Sequence, residues 1–287
     1  MLPAKKTFGF TVAALRTLHR STSSMPLKIA ANVSLLFKET PNLADRYQVA
    51  KDAGFKFVEC TFPYDVPVDQ MAAAREGAGL EQVLINGYPG DLANGDLGLA
   101  ALPSRKEEFR EKLELSIQYA NALECKRMHL MAGRRGQVDD KVMEETFLDN
   151  LQYAADRLQK EGILAVIEPV NNRISVPDYF LYDPHKGLEY VKRLNHPNLK
   201  LQFDVFHVQI MDGNLTKNLK EMFPYIGHIQ ISQVPERHEP DSPGEINYPY
   251  VFQVLENLGY DGYIGLEYNP KGDTLAGLEG LRKLGLL

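Results

Sequence analysis

After its first 24 residues the chain alternates two patterns. Short runs of β-branched and other apolar residues are followed by longer stretches whose apolar positions recur every three or four residues. The first pattern predicts strands and the second amphipathic helices. Strands are expected over 28–32, 57–61, 83–86, 128–131, 164–168, 199–204, 226–231 and 263–267. Helices are expected over 43–52, 68–76, 105–121, 144–160, 184–194, 215–222, 250–258 and 274–284. The clearest is 144–160, with Phe147, Leu151, Ala154 and Leu158 on one face. Strict alternation implies a parallel sheet with crossover helices. Eight strand–helix units in one uninterrupted region, 25–287, predict a single (β/α)8 TIM barrel, a fold of about 250 residues. The rival, a doubly wound sheet, would carry G-x-G-x-x-G after its first strand. That motif is missing here, so no nucleotide cofactor is expected.

Each predicted strand ends on a polar side chain: Asn32, Glu59, Asn86, His129, Glu168, Asp204, Gln230 and Glu267. Strand parity says where they point, because alternate side chains face opposite sides. In 199–204, Leu199, Leu201 and Phe203 oppose Lys200, Gln202 and Asp204. In 226–231, Ile229 and Ile231 oppose His228 and Gln230, and in 263–267, Ile264 and Leu266 oppose Gly265 and Glu267. The apolar set should meet the helices, leaving the polar set on the barrel axis at the rim where barrel enzymes hold their active sites. A single strand-end polar residue is often only a helix cap. Three carboxylates in one mouth would repel unless a cation or shared protons offset them. Glu168, Asp204 and Glu267 with the Gln230 amide oxygen make an all-oxygen set suited to Mg²⁺ or Mn²⁺ rather than zinc.

Charge divides the chain. Of the net −6, residues 1–24 carry +4, from Lys5, Lys6, Arg16 and Arg20 with no acid, which leaves −10 for the barrel region. Basic, Ser/Thr-containing and acid-free composition is that of a mitochondrial presequence. An alternative start at Met25 or a disordered terminus are the plainer readings. Location is accordingly expected to be cytoplasmic, or mitochondrial if 1–24 acts as a presequence. The acidic barrel argues against a nucleic-acid surface. No run approaches the roughly 18 apolar residues of a membrane helix. Cys60 and Cys125 form neither a disulfide framework nor a zinc pattern.

These residues match a family. The region from Met25 onward resembles the xylose-isomerase-like barrels, and among them the hydroxypyruvate isomerases. The match is carried by Leu84-Ile85-Asn86, Gly90-Asp91, His129-Leu130-Met131-Ala132-Gly133 and Ile167-Glu168-Pro169. It continues through Asp204-x-x-His207, His228-Ile229-Gln230, Pro235-x-Arg237, Gly244-Glu245-Ile246-Asn247-Tyr248 and Gly265-Leu266-Glu267-Tyr268. The resemblance implies interconversion of hydroxypyruvate and 2-hydroxy-3-oxopropanoate, with Glu168 and Glu267 as proton acceptor and donor. It maps a metal set onto Glu168, Asp204, Gln230 and Glu267. One departure is that related sugar epimerases carry His where Gln230 stands, and an amide oxygen is a weaker ligand than imidazole.

A three-carbon acid needs a cationic partner for its carboxylate. Arg237 is the best candidate, because a guanidinium can bind it bidentately; Arg134 and Arg135 are second choices. His207 is expected to donate a hydrogen bond to a substrate oxygen or to orient a carboxylate. Asn86 is a further polar contact to substrate. Glu59 and His129 are expected to act through neighbours, and His228 to pack the lumen. The expected partner is a small hydroxy or keto acid; association through the outer helices into a homo-oligomer is compatible with the pattern. Competing readings are a sugar or inositol isomerase or epimerase, an abasic-site endonuclease on the same fold, and a barrel that binds a sugar acid without turnover.

Overall fold

The computed structural model describes residues 27–287. Its eight strands are β1 (Lys28–Asn32), β2 (Phe57–Cys60), β3 (Glu81–Asn86), β4 (Arg127–His129), β5 (Leu164–Ile167), β6 (Leu199–Asp204), β7 (Ile226–Ile231) and β8 (Tyr263–Leu266). All neighbours pair in parallel and β8 closes on β1. The helices are α1 (Asp45–Asp52), α2 (Val68–Ala78), α3 (Lys106–Ala122), α4 (Asp140–Lys160), α5 (Pro184–Leu194), α6 (Val205–Met211), α7 (Leu215–Met222), α8 (Tyr248–Leu258) and α9 (Thr274–Lys283). This is the TIM barrel that the alternation predicts. The 1–24 segment lies outside the described residues. No helix among those described is long and apolar enough to cross a membrane.

Two sequence expectations need adjustment. β6 is followed by two helices rather than one, because the Asp204 side chain accepts from Phe206 N at 2.9 Å and caps α6. β4, β5 and β8 stop short of the expected 131, 168 and 267. Glu168 and Glu267 therefore stand on the first residue after a strand, at the start of a loop.

The strand parity holds on β6 to β8. Leu201, Phe203, Ile229, Ile231, Ile264 and Leu266 join the large core between barrel and helices. Each such side chain, once buried, contributes about 1.5–3 kcal/mol. Inside the barrel a small apolar floor is built from Ala30, Val83, Leu84 and Val166, closed by Phe57, Leu164 and Tyr263. Two register slips shape this lumen. The pairing Val58↔Gln82 is followed by Glu59↔Leu84, and Leu201↔Ile226 by Gln202↔His228. Each gives one strand an extra residue, a bulge that re-aims the side chains beyond it. Above the floor, the side chains that follow are polar.

Candidate active site

The lowest polar layer is organised by Glu59, fully buried on β2. Its Oε1 accepts from Asn32 Nδ2 at 2.9 Å and from Gln230 Nε2 at 2.7 Å, and its Oε2 meets His228 Nε2 at 2.7 Å. Room for it comes from Gly265 on β8, where a Cβ would overlap the Glu59 carboxylate. A carboxylate can only accept, so Gln230 must turn its NH₂ toward Glu59 and its oxygen away. That oxygen accepts from Gln202 Nε2 at 2.5 Å, and the same nitrogen reaches Glu168 Oε2 at 2.8 Å. A chain of amides thus joins Glu59 to Glu168 across the lumen.

Above it stand Glu168, Asp204 and His207, whose ligand-type atoms lie within 4.8 Å of one another. His207 Nε2 is 3.4 Å from Asp204 Oδ2 and 3.6 Å from Glu168 Oε1. Its other nitrogen is decided by Asn171. Asn171 Oδ1 accepts from Ile174 N and Ser175 N, which aims the amide NH₂ at His207 Nδ1, 2.7 Å away. The Asn171 backbone N–H points at the same Nδ1, at 3.3 Å. Nδ1 therefore accepts, and the proton sits on Nε2, facing the carboxylates. His207 is a donor in this arrangement rather than a metal ligand.

Arg237, on the β7–α8 loop, closes the mouth. Its Nη2 pairs with Glu267 Oε2 and, at 3.2 Å, with Asp204 Oδ2, while Nε reaches the Glu267 carbonyl at 3.3 Å. The guanidinium lies over the Phe206 ring, 5.0 Å from its centroid. Its backbone has φ 57°, in the left-handed region. For a non-glycine residue that costs about 1–3 kcal/mol and persists only under tertiary restraint.

Burial drives the electrostatics. It pushes Glu168 well above the usual carboxylate range, and the charges of Glu267 and Asp204 add to the effect. Burial also raises Asp204, against the pull of Arg237. Glu267 is pushed up to about 8 by burial, again with Arg237 opposing. Burial lowers His207 well below its ordinary value, helped by Arg237, and takes His129 down to about 3. Burial opposes the charge on Arg237, but Glu267 and Asp204 outweigh it and hold its pKa up. Three crowded carboxyls with one guanidinium leave room for further positive charge. Glu168 Oε1 is buried without a hydrogen-bond partner, so it is an oxygen that could meet a cation. The donors are carboxylate oxygens with the Gln230 amide oxygen beside them, the hard set that Mg²⁺ or Mn²⁺ prefers.

A family model described as Xylose isomerase-like TIM barrel matches residues 47–284. The chain belongs to that family. A Danio rerio relative, named provisionally as a hydroxypyruvate isomerase, is 53% identical over 90% of this chain and 95% of its own length. The hydroxypyruvate isomerase of Escherichia coli K12 is 40% identical, covering 88% and 97%. A 2-oxo-tetronate isomerase of Pectobacterium atrosepticum is 44% identical, covering 88% and 95%. Among solved structures, an AP endonuclease, family 2, from Brucella melitensis superposes with a TM-score of 0.87 at 45% identity, covering 90% of this chain and 99% of that one. With relatives named isomerases at 40–53% identity over most of its length, this family member is an enzyme of the isomerase class.

Most of the predicted site residues converge. Glu168, Asp204, Gln230, Glu267, His207, Arg237 and Glu59 form one connected network. His129 is buried beside it, Nδ1 3.4 Å from Glu168 Oε2, with neither ring nitrogen hydrogen-bonded. Asn86 is less central: its Nδ2 faces Met131 Sδ at 3.8 Å, and no hydrogen bond links it to the carboxylates. Arg134 and Arg135 are loop ties. Arg134 binds Asp178 and the Gly95 carbonyl, and Arg135 pairs with Asp140 at 3.2 Å. His228 is more than packing, since it supports Glu59. Sequence reasoning missed Asn171 and the bridging role of Gln202. Gln202 did stand on the polar parity face of β6; Asn171 lies on a loop, where no periodicity marks it.

Proposed function

We propose that this isomerase interconverts hydroxypyruvate and 2-hydroxy-3-oxopropanoate through an enediolate, with Glu168 and Glu267 as acid and base. The observation that carries the reading is Arg237 joined to Glu267 and Asp204 beside Glu168, with the His207 donor between the carboxylates. One carboxylate takes the proton from C3, and the other returns one to C2. The hydroxyl proton on the C3 oxygen is lost as the aldehyde forms, and the C2 oxygen gains one. His207 Nε2–H can supply a hydrogen bond to that oxygen as its charge grows. Burial raises the proton affinity of both carboxyls in the metal-free protein, and a bound cation would pull it back down. Transfer is most efficient when these opposing effects leave the acid and base near working pH. Positioned proton transfer of this kind contributes about 10²–10⁴-fold. A divalent ion held by Glu168, Asp204, Gln230 and Glu267 would stabilise negative charge developing on substrate oxygens.

Arg237 serves two partners. Its protein hydrogen bonds run from Nε and Nη2, so Nη1 is the nitrogen that can meet a substrate carboxylate. A guanidinium nitrogen left without a protein partner supports a small 2-keto acid over a neutral sugar. The relative named 2-oxo-tetronate isomerase supports a second reading, a four-carbon keto acid with the same carboxylate. NMR of each keto acid with the purified enzyme, with and without EDTA, separates the readings and reports metal dependence. Hydroxypyruvate turnover that EDTA suppresses is expected. Arg237→Ala should raise its KM roughly 10–100-fold, as loss of a charge-assisted contact worth about 1.5–3 kcal/mol predicts. Turnover of the four-carbon acid alone would favour the second reading, and turnover of neither would refute both.

A further inference from the structure

The β7–α8 loop that carries Arg237 has a side chain at its centre. Gln233 is 3% exposed. Its Nε2 lies 3.0 Å from the Ile246 carbonyl and 3.2 Å from those of Pro240 and Ser242. Its Oε1 accepts from Val234 N at 3.1 Å and Ile246 N at 2.9 Å. The backbone of the same residue also holds the loop. Gln233 N donates to the His238 carbonyl at 3.0 Å, and its own carbonyl accepts from Arg237 N at 2.8 Å. Gly244 lies directly against this side chain, where a Cβ would overlap it. From the other side, Asn269 N donates to the Arg237 carbonyl at 2.7 Å. Both ends of the turn are therefore fastened, and the left-handed Arg237 sits between the fastenings.

We infer that Gln233 is a positioning residue for substrate binding. It holds the loop in the one shape that aims the Arg237 guanidinium into the barrel mouth, without touching a reacting atom. An amide is the side chain that can do this, because it donates and accepts at once. A leucine of similar volume would keep the packing and leave loop carbonyls and N–H groups unpaired, so the loop would relax toward other shapes. The inference rests on the reading of Arg237 as the substrate-carboxylate clamp.

The test compares hydroxypyruvate kinetics for the wild type, Gln233→Leu, Arg237→Ala and the double variant, with amide hydrogen exchange on the 233–247 segment of each. Gln233→Leu is expected to raise KM about tenfold while kcat changes less, since positioning is lost but the acid and base remain. The double variant should be no worse than Arg237→Ala, because both changes remove one function. Exchange in the loop should speed up by tenfold or more, with the barrel strands unchanged. Gly244→Ala, which crowds Gln233 from the other side, should reproduce both effects and carries the test if Gln233→Leu does not fold. An unchanged KM, or effects that multiply in the double variant, would overturn the inference. Unchanged loop exchange would overturn it whatever the activity. If Arg237→Ala leaves KM unaltered while loop exchange responds to Gln233→Leu, the clamp reading fails and Gln233 keeps only its hold on the loop.

Discussion

Asn171 turns a loop histidine into a defined hydrogen-bond donor. By placing two N–H groups on Nδ1 it leaves His207 with its proton on Nε2, toward Asp204 and Glu168. Burial then keeps the ring neutral. Glu267 makes the opposite point, since a group that reads as a plain carboxylate holds its proton up to about pH 8. The folded state keeps that proton where the unfolded chain has released it. The stability this contributes is full below the unfolded value near 4.5 and is lost as pH rises through about 8. The metal-free protein in EDTA should therefore melt at progressively lower temperature from about pH 5 to pH 8. Glu168 and Asp204 shift in the same direction, so Glu267→Gln should flatten that decline without abolishing it. Melting curves with identical pH slopes in the two proteins would contradict the assignment. At this scale the carboxylates were legible in the sequence because they recur at strand ends. Their proton affinities were not, because burial depends on which side chains face them across the lumen.

Among the elements, β6, β7 and β8 were the most legible, since alternation of apolar and polar residues fixes which face meets the helices. The α6 helix was not. Val205–Met211 carries few polar residues and follows a strand directly, and only the Asp204 cap shows where the chain turns. The two register slips were equally hidden, because each depends on the neighbouring strand. Gly265 shows what such neighbours require. Its bare backbone on β8 admits the Glu59 carboxylate from β2, and Glu59 is held on three sides by Asn32, Gln230 and His228. Overpacking at a site that cannot yield costs about 1–3 kcal/mol. Gly265→Ala should lower the melting temperature by several degrees and reduce activity, through displacement of Glu59 and thus of Gln230. An unchanged melting temperature would show that Glu59 can move aside.

For the molecule as a whole, the family match and the barrel place the charged cluster in a setting built for catalysis. Much of the −10 outside residues 1–24 is ordinary surface charge, but Glu59, Glu168, Asp204 and Glu267 belong to one network inside the mouth. That concentration was readable as a list of strand ends. The bridges that connect it were not, since Gln230 and Glu59 lie 171 positions apart in the chain and Gln202 and Glu168 lie 34 apart. The central claim is that Glu168 and Glu267 move the proton, and solvent-isotope exchange tests it most directly. Hydroxypyruvate would be incubated in D₂O with the wild type, Glu168→Gln and Glu267→Gln, and deuterium at C3 and C2 followed by NMR. The wild type should place deuterium at C2 of the product. Each variant should fall by at least about 10²-fold in turnover with its fold intact, and the variant lacking the base for C3 should also stop exchanging that proton. Near-normal exchange and turnover in either variant would contradict the account.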